Sequence, residues 1–195
     1  MQHVNLKLFA GPASSISLHD AIPVFHRWIQ EHWLPELLID VTDYKHVPSG
    51  PGVLLIAHEA NYSLDMGGNR LGLLYARKAV LPGSPEENLR QAYASARKAA
   101  ERLQEEPEFK GKLWFSDHEL EVTLNDRLLF PNGDDTWNRT RSDLTAFFDG
   151  VLGAGQYSLE RASDLRERFR VHAARAVVAP SGVLGQNVNP TSTST

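Results

Sequence analysis

Cysteine is absent from this 195-residue chain. Its absence excludes disulfides, thiolate metal ligands and thiol catalysis, and is typical of proteins in a reducing compartment. The chain also lacks an excess of basic charge, since 20 Lys and Arg residues face 24 Asp and Glu residues and the formal net charge is −4. Proteins that bind nucleic acid are normally basic over a domain or a face, so we do not expect nucleic acid as a partner.

Long apolar runs are missing as well. The longest unbroken run covers only residues 53–57, whereas a helix needs about 20 apolar residues to cross a bilayer. Residues 1–9 alternate polar and apolar side chains and carry neither the basic nor the apolar part of a secretory signal. We therefore expect no membrane span and a cytoplasmic location.

The hydrophobic and charged content of the chain is typical of a protein with a packed core. Hydrophobic residues make up 42% of the chain and charged residues 23%, which are values close to the globular average. The length suits one domain with a substantial core. We expect a single α+β domain over residues 1–178. A flexible or docking C-terminal tail should follow over residues 179–195, which are rich in Pro, Gly, Ser, Thr and Asn.

Apolar spacing predicts three helices, near residues 20–33, 85–105 and 136–152. The second has the clearest start, because Ser84 and Glu87 can form a capping box around Pro85. Segments with two-residue alternation, beginning with residues 4–9, predict the strands between the helices. The expected fold is therefore α+β, with a mixed or largely antiparallel sheet of six to eight strands and about three helices packed mainly on one face.

One segment, residues 53–78, contains two β-like runs around the glycine pair Gly67 and Gly68. Adjacent glycines suit the positive φ angles of a tight hairpin turn. The pattern predicts a long two-stranded hairpin, in which Asp65 lies opposite Arg70 as an exposed cross-strand ion pair.

Four residues of this segment are candidates for catalysis: His58, Glu59, Tyr62 and Asp65. A histidine beside a carboxylate can act as a general base or hold a metal ion. These residues define the hypothesis of a small hydrolase-like or metal-dependent enzyme. Strand geometry disfavours it, because neighbours on a strand point to opposite faces and would separate His58 from Glu59.

Arginine is concentrated in a last predicted hairpin, formed by residues 157–161 and 169–173. On its second strand, Arg168, Arg170 and His172 would line one face and could bind an anion or RNA. Acidic residues are interleaved with the arginines, so a solvated charged face is the main alternative.

Other constellations are weaker. Asp40, Asp43 and His46 offer metal ligands but match no known spacing, and no cofactor motif occurs, so we expect neither a metal nor a cofactor. Because the polar candidates are scattered, we favour a non-catalytic accessory or binding protein that acts through protein contacts or self-association. The enzyme and the anion-binding or RNA-binding protein are the alternatives. The sequence does not indicate a small-molecule ligand.

Overall fold

The computed structural model of the chain describes residues 1–48 and 50–175. These residues form one eight-stranded antiparallel sheet and three α-helices, which confirms the expected α+β fold. The predicted tail over residues 179–195 lies outside the described residues and stays a prediction. The helices are α1 (Ala21–Gln30), α2 (Pro85–Glu105) and α3 (Asp134–Leu152). The strands are β1 (Val4–Ala10), β2 (Leu38–Tyr44), β3 (Gly52–Ala57), β4 (Ala60–Asp65), β5 (Gly72–Arg77), β6 (Phe115–Leu124), β7 (Tyr157–Arg161) and β8 (Phe169–Arg175).

The order of the strands across the sheet is β2-β3-β4-β5-β1-β6-β8-β7. Strands β1 and β6, the fifth and sixth in this order, are far apart in the sequence but pair directly, with Leu6 opposite Val122. The apolar residues of every second position form one core with the helices. All three helices therefore pack on the same face of the sheet, and the polar positions of the central strands lie on the other face.

Helix α2 begins and ends at the predicted residues. The Ser84 hydroxyl accepts a hydrogen bond from the Glu87 N–H at 3.2 Å, and the Glu87 carboxylate accepts one from the Ser84 N–H at 2.6 Å. This reciprocal pair is the predicted capping box. Helix α1 is shorter than expected, because the chain leaves the helix after Gln30 and His32 adopts a left-handed φ of 49°.

The long hairpin predicted for residues 53–78 is wrong. This segment forms three strands, because the chain reverses once at His58 and Glu59 and again over residues 66–71. Gly68 has the left-handed φ expected of a turn glycine, 67°, but it belongs to a longer connection. As a result Asp65 lies opposite Gly72 and not opposite Arg70.

The first of these reversals is stabilised by a residue from outside the segment. The carboxylate of Glu36 accepts hydrogen bonds from the backbone N–H groups of Glu59, at 2.9 Å, and Ala60, at 3.1 Å. These bonds hold two amides that a tight reversal would otherwise leave without a partner. No glycine or proline marks the reversal, so the local sequence pattern does not predict it.

Candidate functional site

The face of the sheet opposite the helices carries an open groove with a volume of about 990 Å³. This volume is at the upper end of the range typical of ligand sites, roughly 300–1,000 Å³. Strands β1, β6 and β8 and the loops beside them form its floor and one wall. The side chains that point into it from these three strands are mostly polar: Asn5, Lys7, Phe9, Glu121, Thr123, Arg170 and His172.

Lys7 lies in the floor of the groove with only 4% of its surface exposed. Its Nζ donates hydrogen bonds to the carboxylate of Asp65 at 2.5 Å and to the backbone carbonyls of Gly67, at 2.9 Å, and Arg70, at 2.7 Å. An ammonium group has three hydrogens, so all its donors are used. Lys7 therefore fixes the connection between β4 and β5 and is not a free cation for a ligand.

The predicted ion pair between Asp65 and Arg70 is wrong. The turn is longer than predicted, so Asp65 points into the sheet face and pairs with Lys7. Arg70 instead reaches Glu119 of β6 at 2.5 Å. Its guanidinium also lies 3.9 Å from the ring centroid of Phe9, at cation–π distance.

Glu119 and Glu121 lie two residues apart on β6 and share the face of the groove. Burial alone would raise the pKa of Glu119, but hydrogen bonds with Arg70 and with the His172 ring, at 3.1 Å, outweigh it and lower that pKa. Burial raises the pKa of Glu121, whose nearest cation, Arg170, lies 3.7 Å away. Glu119 is therefore held as a carboxylate, while Glu121 is closer to accepting a proton.

Some buried polar atoms on this face have no partner among the described residues. They include the side-chain oxygens of Asn5, Asn61 and Ser63. Asn5 is 8% exposed and lines the groove. Buried polar atoms normally form hydrogen bonds, so the Asn5 oxygen is an acceptor that a bound hydroxyl or amide could satisfy.

The three residues predicted to bind an anion line this groove. Arg170 and His172 lie on β8 and Arg168 directly precedes it, while the intervening positions point into the core. Arg170 pairs with Glu167 at 2.7 Å. Arg168 is exposed and forms no ion pair within the described part of the chain. It is therefore the cation of the groove that is most available to a ligand, although anion binding itself stays a prediction.

The four candidate catalytic residues are not brought together. His58 and Glu59 are exposed at the bend between β3 and β4. Tyr62 points towards the helices, where its hydroxyl donates a hydrogen bond to Glu36 at 3.0 Å and burial raises its pKa. Asp65 lies on the opposite face at the far end of β4, about 16 Å along the strand from its first residue at a rise of about 3.3 Å per residue.

Metal binding has no geometric support within residues 1–48 and 50–175, where no three His, Asp or Glu side chains are close enough to share an ion. Asp40 and Asp43 instead accept hydrogen bonds from nearby backbone N–H groups of Val41 and Lys45. The hydrogen bond from the Lys45 N–H and the Lys45 ammonium lower the pKa of Asp43. Both carboxylates therefore stabilise the local backbone of β2 and the turn after it.

Sequence reasoning missed Lys7, Glu121 and Asn5. Each lies on a strand at a polar position of an alternating pattern, and such a position ordinarily faces water. The signal that could reveal these three residues is the polar face that β1, β6 and β8 share. It can be recognised only when the pairing of these distant strands is known.

No protein-family model matches the chain, and no curated protein is a significant match to it. Among the described residues, no helix is both long and apolar enough to span a membrane. The function must therefore be inferred from the groove and the surfaces around it.

Proposed function

We propose that the chain is a non-catalytic binding protein whose groove holds a small anionic ligand rich in hydroxyl groups. The observation that carries this proposal is the presence in one groove of two groups without partners in the described part of the chain: Arg168, which forms no ion pair there, and the buried side-chain oxygen of Asn5, which accepts no hydrogen bond there. Arginine binds carboxylate and phosphate groups through paired hydrogen bonds. The Asn5 oxygen and the Thr123 hydroxyl would bind the hydroxyl groups of the same ligand.

A binding role is favoured over catalysis because most of the ionisable groups described for the groove face are bound by partners within the protein; Glu121, with Arg170 3.7 Å away, is the exception. Lys7 uses its three donors within the protein, and Glu119 is bound by Arg70 and His172. A general base needs a free position within hydrogen-bond reach of a substrate proton. RNA is less suitable than a small anion, since acidic side chains are interleaved with the arginines and the chain is acidic overall.

The test measures binding of glucose 6-phosphate, citrate and inorganic phosphate by calorimetry and by the shift in melting temperature. We expect at least one of them to bind and to raise the melting temperature. The double variant Arg168→Gln, Arg170→Gln should then lose at least about tenfold in affinity, because hydrogen bonds to charged groups contribute roughly 1.5–3 kcal/mol each.

The matched control is Arg166→Gln. Arg166 is an exposed arginine of the same loop that pairs with Asp164 and does not line the groove. It should leave the affinity unchanged. Equal losses in the control and in the double variant, or no binding of any of the three anions, would contradict the proposal.

Self-association is a second candidate function, and the exposed edge of the sheet supports it. Strand β2 is an edge strand, and Leu37 and Ile39, in and beside it, are more than half exposed. An apolar edge strand is a template for pairing with another chain. We expect analytical ultracentrifugation to detect a dimer that Ile39→Lys dissociates and Val80→Lys does not. A monomeric wild-type chain at high concentration would remove this candidate.

A cytoplasmic location belongs to the same proposal. It is supported by the complete absence of cysteine, which suits a reducing compartment. Fractionation of cells that produce the protein tests it directly.

A further inference from the structure

Glu121 occupies the middle of the floor of the groove. It lies between Lys7 of β1 and His172 of β8, which are the residues directly opposite it on the two neighbouring strands. All three side chains line the groove. Only 20% of the Glu121 side chain is exposed, although this face of the sheet is not the one that the helices cover. A ligand that rests on the floor therefore lies against or beside this carboxyl group.

The two residues opposite Glu121 are bound to other groups. Lys7 donates its three Nζ hydrogens to Asp65 and to two backbone carbonyls. The ring Nε2 of His172 lies 3.1 Å from Glu119, the preceding carboxylate on this face of β6. Within the described residues, neither neighbour forms a hydrogen bond with Glu121.

Arg170 is the third cation beside Glu121. Its terminal nitrogen donates a hydrogen bond to Glu167 at 2.7 Å, while its Nε lies 3.7 Å from the Glu121 carboxylate, beyond hydrogen-bond distance. Burial therefore outweighs the attraction of the nearby cations and raises the pKa of Glu121. A carboxyl group in this position accepts a proton more readily than an exposed glutamate does.

An anion bound by Arg170 would come close to Glu121. Thr123, the next residue of β6 on this face, lies opposite Arg170 on one side and opposite Asn5 on the other. The groups that would hold the ligand thus surround the position beside Glu121. Like charges at close range in a partly buried site repel each other. An ionised Glu121 would oppose an anionic ligand, whereas a protonated Glu121 would donate a hydrogen bond to it.

We propose that Glu121 determines which ligands the groove accepts, by binding an anionic ligand oxygen as a neutral carboxyl group. The anion binds together with one proton from the solvent, which joins the Glu121 carboxylate and forms the hydrogen bond to the ligand. Because binding of the anion and of the proton favour each other, the affinity for the anion rises as the pH falls. This inference rests on the proposed function and adds the residue that sets its specificity.

The test is titration calorimetry of glucose 6-phosphate, citrate and inorganic phosphate at pH 7.5 and at pH 5.5, with the wild type and with Glu121→Gln. Glutamine keeps a hydrogen-bond donor and has no charge, so it imitates the protonated glutamate. At pH 7.5 the variant should bind at least about fivefold more tightly than the wild type, because a like charge is removed. This ratio of affinities should fall at pH 5.5. Protonation of the ligand itself affects both proteins and cancels in the ratio.

Proton uptake is measured by repeating the titrations in two buffers of different ionisation enthalpy. The wild type should take up more protons per bound anion than Glu121→Gln does. Glu160→Gln is the matched control, since Glu160 is an exposed glutamate of β7 that also lines the groove. Solvent screens its charge, so its substitution should change the affinity by less than about twofold.

The possible outcomes separate this inference from the proposed function. Anion binding with equal affinities and equal proton uptake in the wild type and Glu121→Gln would overturn the inference and leave the proposed function intact. An equal gain in Glu160→Gln would also overturn it, since the effect would then be one of overall charge. If none of the three anions binds at either pH, both are overturned.

Discussion

Leu6 and Lys7 are neighbours on β1 and are both almost completely buried, but on opposite faces of the sheet. Leu6 is covered by the apolar core beneath the helices. Lys7 is enclosed by the carboxylate and carbonyl groups that it binds. Burial on the helix face follows from apolar packing, whereas burial on the groove face depends on a specific set of polar partners.

This difference bears on function. A buried ion pair such as Lys7 with Asp65 contributes little net stability, and apolar residues of similar volume are often at least as stabilising. The groove nevertheless has charges in its floor, the buried amide oxygen of Asn5, which has no hydrogen-bond partner among the described residues, and a carboxyl group whose pKa is raised. Such features are more common at binding sites than in structural cores.

The largest effect expected on the groove face is that of Lys7→Met. The substitution removes the cation and leaves the Asp65 carboxylate buried without a countercharge, which should lower the free energy of unfolding by about 3–5 kcal/mol. Replacement of both partners, Lys7→Met with Asp65→Leu, should restore part of this loss because no unpaired charge remains, although the carbonyls of Gly67 and Arg70 and the Gly67 N–H lose their side-chain partners. Urea denaturation of the three proteins measures both effects.

Lys110→Met is the control for the loss of a positive charge, since Lys110 is exposed. It should change the free energy of unfolding by less than about 0.5 kcal/mol. If the double variant is as unstable as the single one, the ion pair itself stabilises the groove face. The groove face would then gain net stability from its buried ion pair, contrary to the small contribution expected of such a pair.

The helix face could be predicted from the sequence to a large extent. Val4, Leu6 and Leu8 alternate as predicted for β1, and α2 has the predicted bounds because its capping box is local. The two strands of the last hairpin also begin at the predicted residues. Such features depend on residues close together in the chain, so periodicity and capping signals reveal them.

The groove could not be predicted in the same way. Its floor joins Lys7, Glu121 and Arg170, which belong to three strands that are distant in the sequence. The row of Arg168, Arg170 and His172 was recognisable because it lies in one segment. The rest of the lining, such as Lys7 and Glu121, was not recognisable, and neither was the reversal at His58, which depends on the distant Glu36.

Glu119 and Glu121, two glutamates of the groove face, differ in how burial and their partners affect the pKa. Both carboxylates are on β6 and both are partly buried, but their pKa values move in opposite directions. Glu119 has two hydrogen-bond partners, Arg70 and His172, whereas Glu121 has the more distant Arg170. The number and distance of the partners decide whether burial raises the pKa.

The smallest predicted effects are those of Glu119→Gln and Glu121→Gln, and they should have opposite signs. A lowered pKa stabilises the fold above the ordinary glutamate value of 4.5, so Glu119→Gln should cost about 1 kcal/mol at pH 7 and progressively less as the pH falls below that value. A raised pKa destabilises the fold once the carboxyl ionises, so Glu121→Gln should gain up to about 1 kcal/mol at pH 7. This gain should disappear below pH 4.5, where the wild-type group is protonated in both states. Urea denaturation at a series of pH values measures both effects, and a loss of equal size in the two variants would show that the carboxylates are equally well paired.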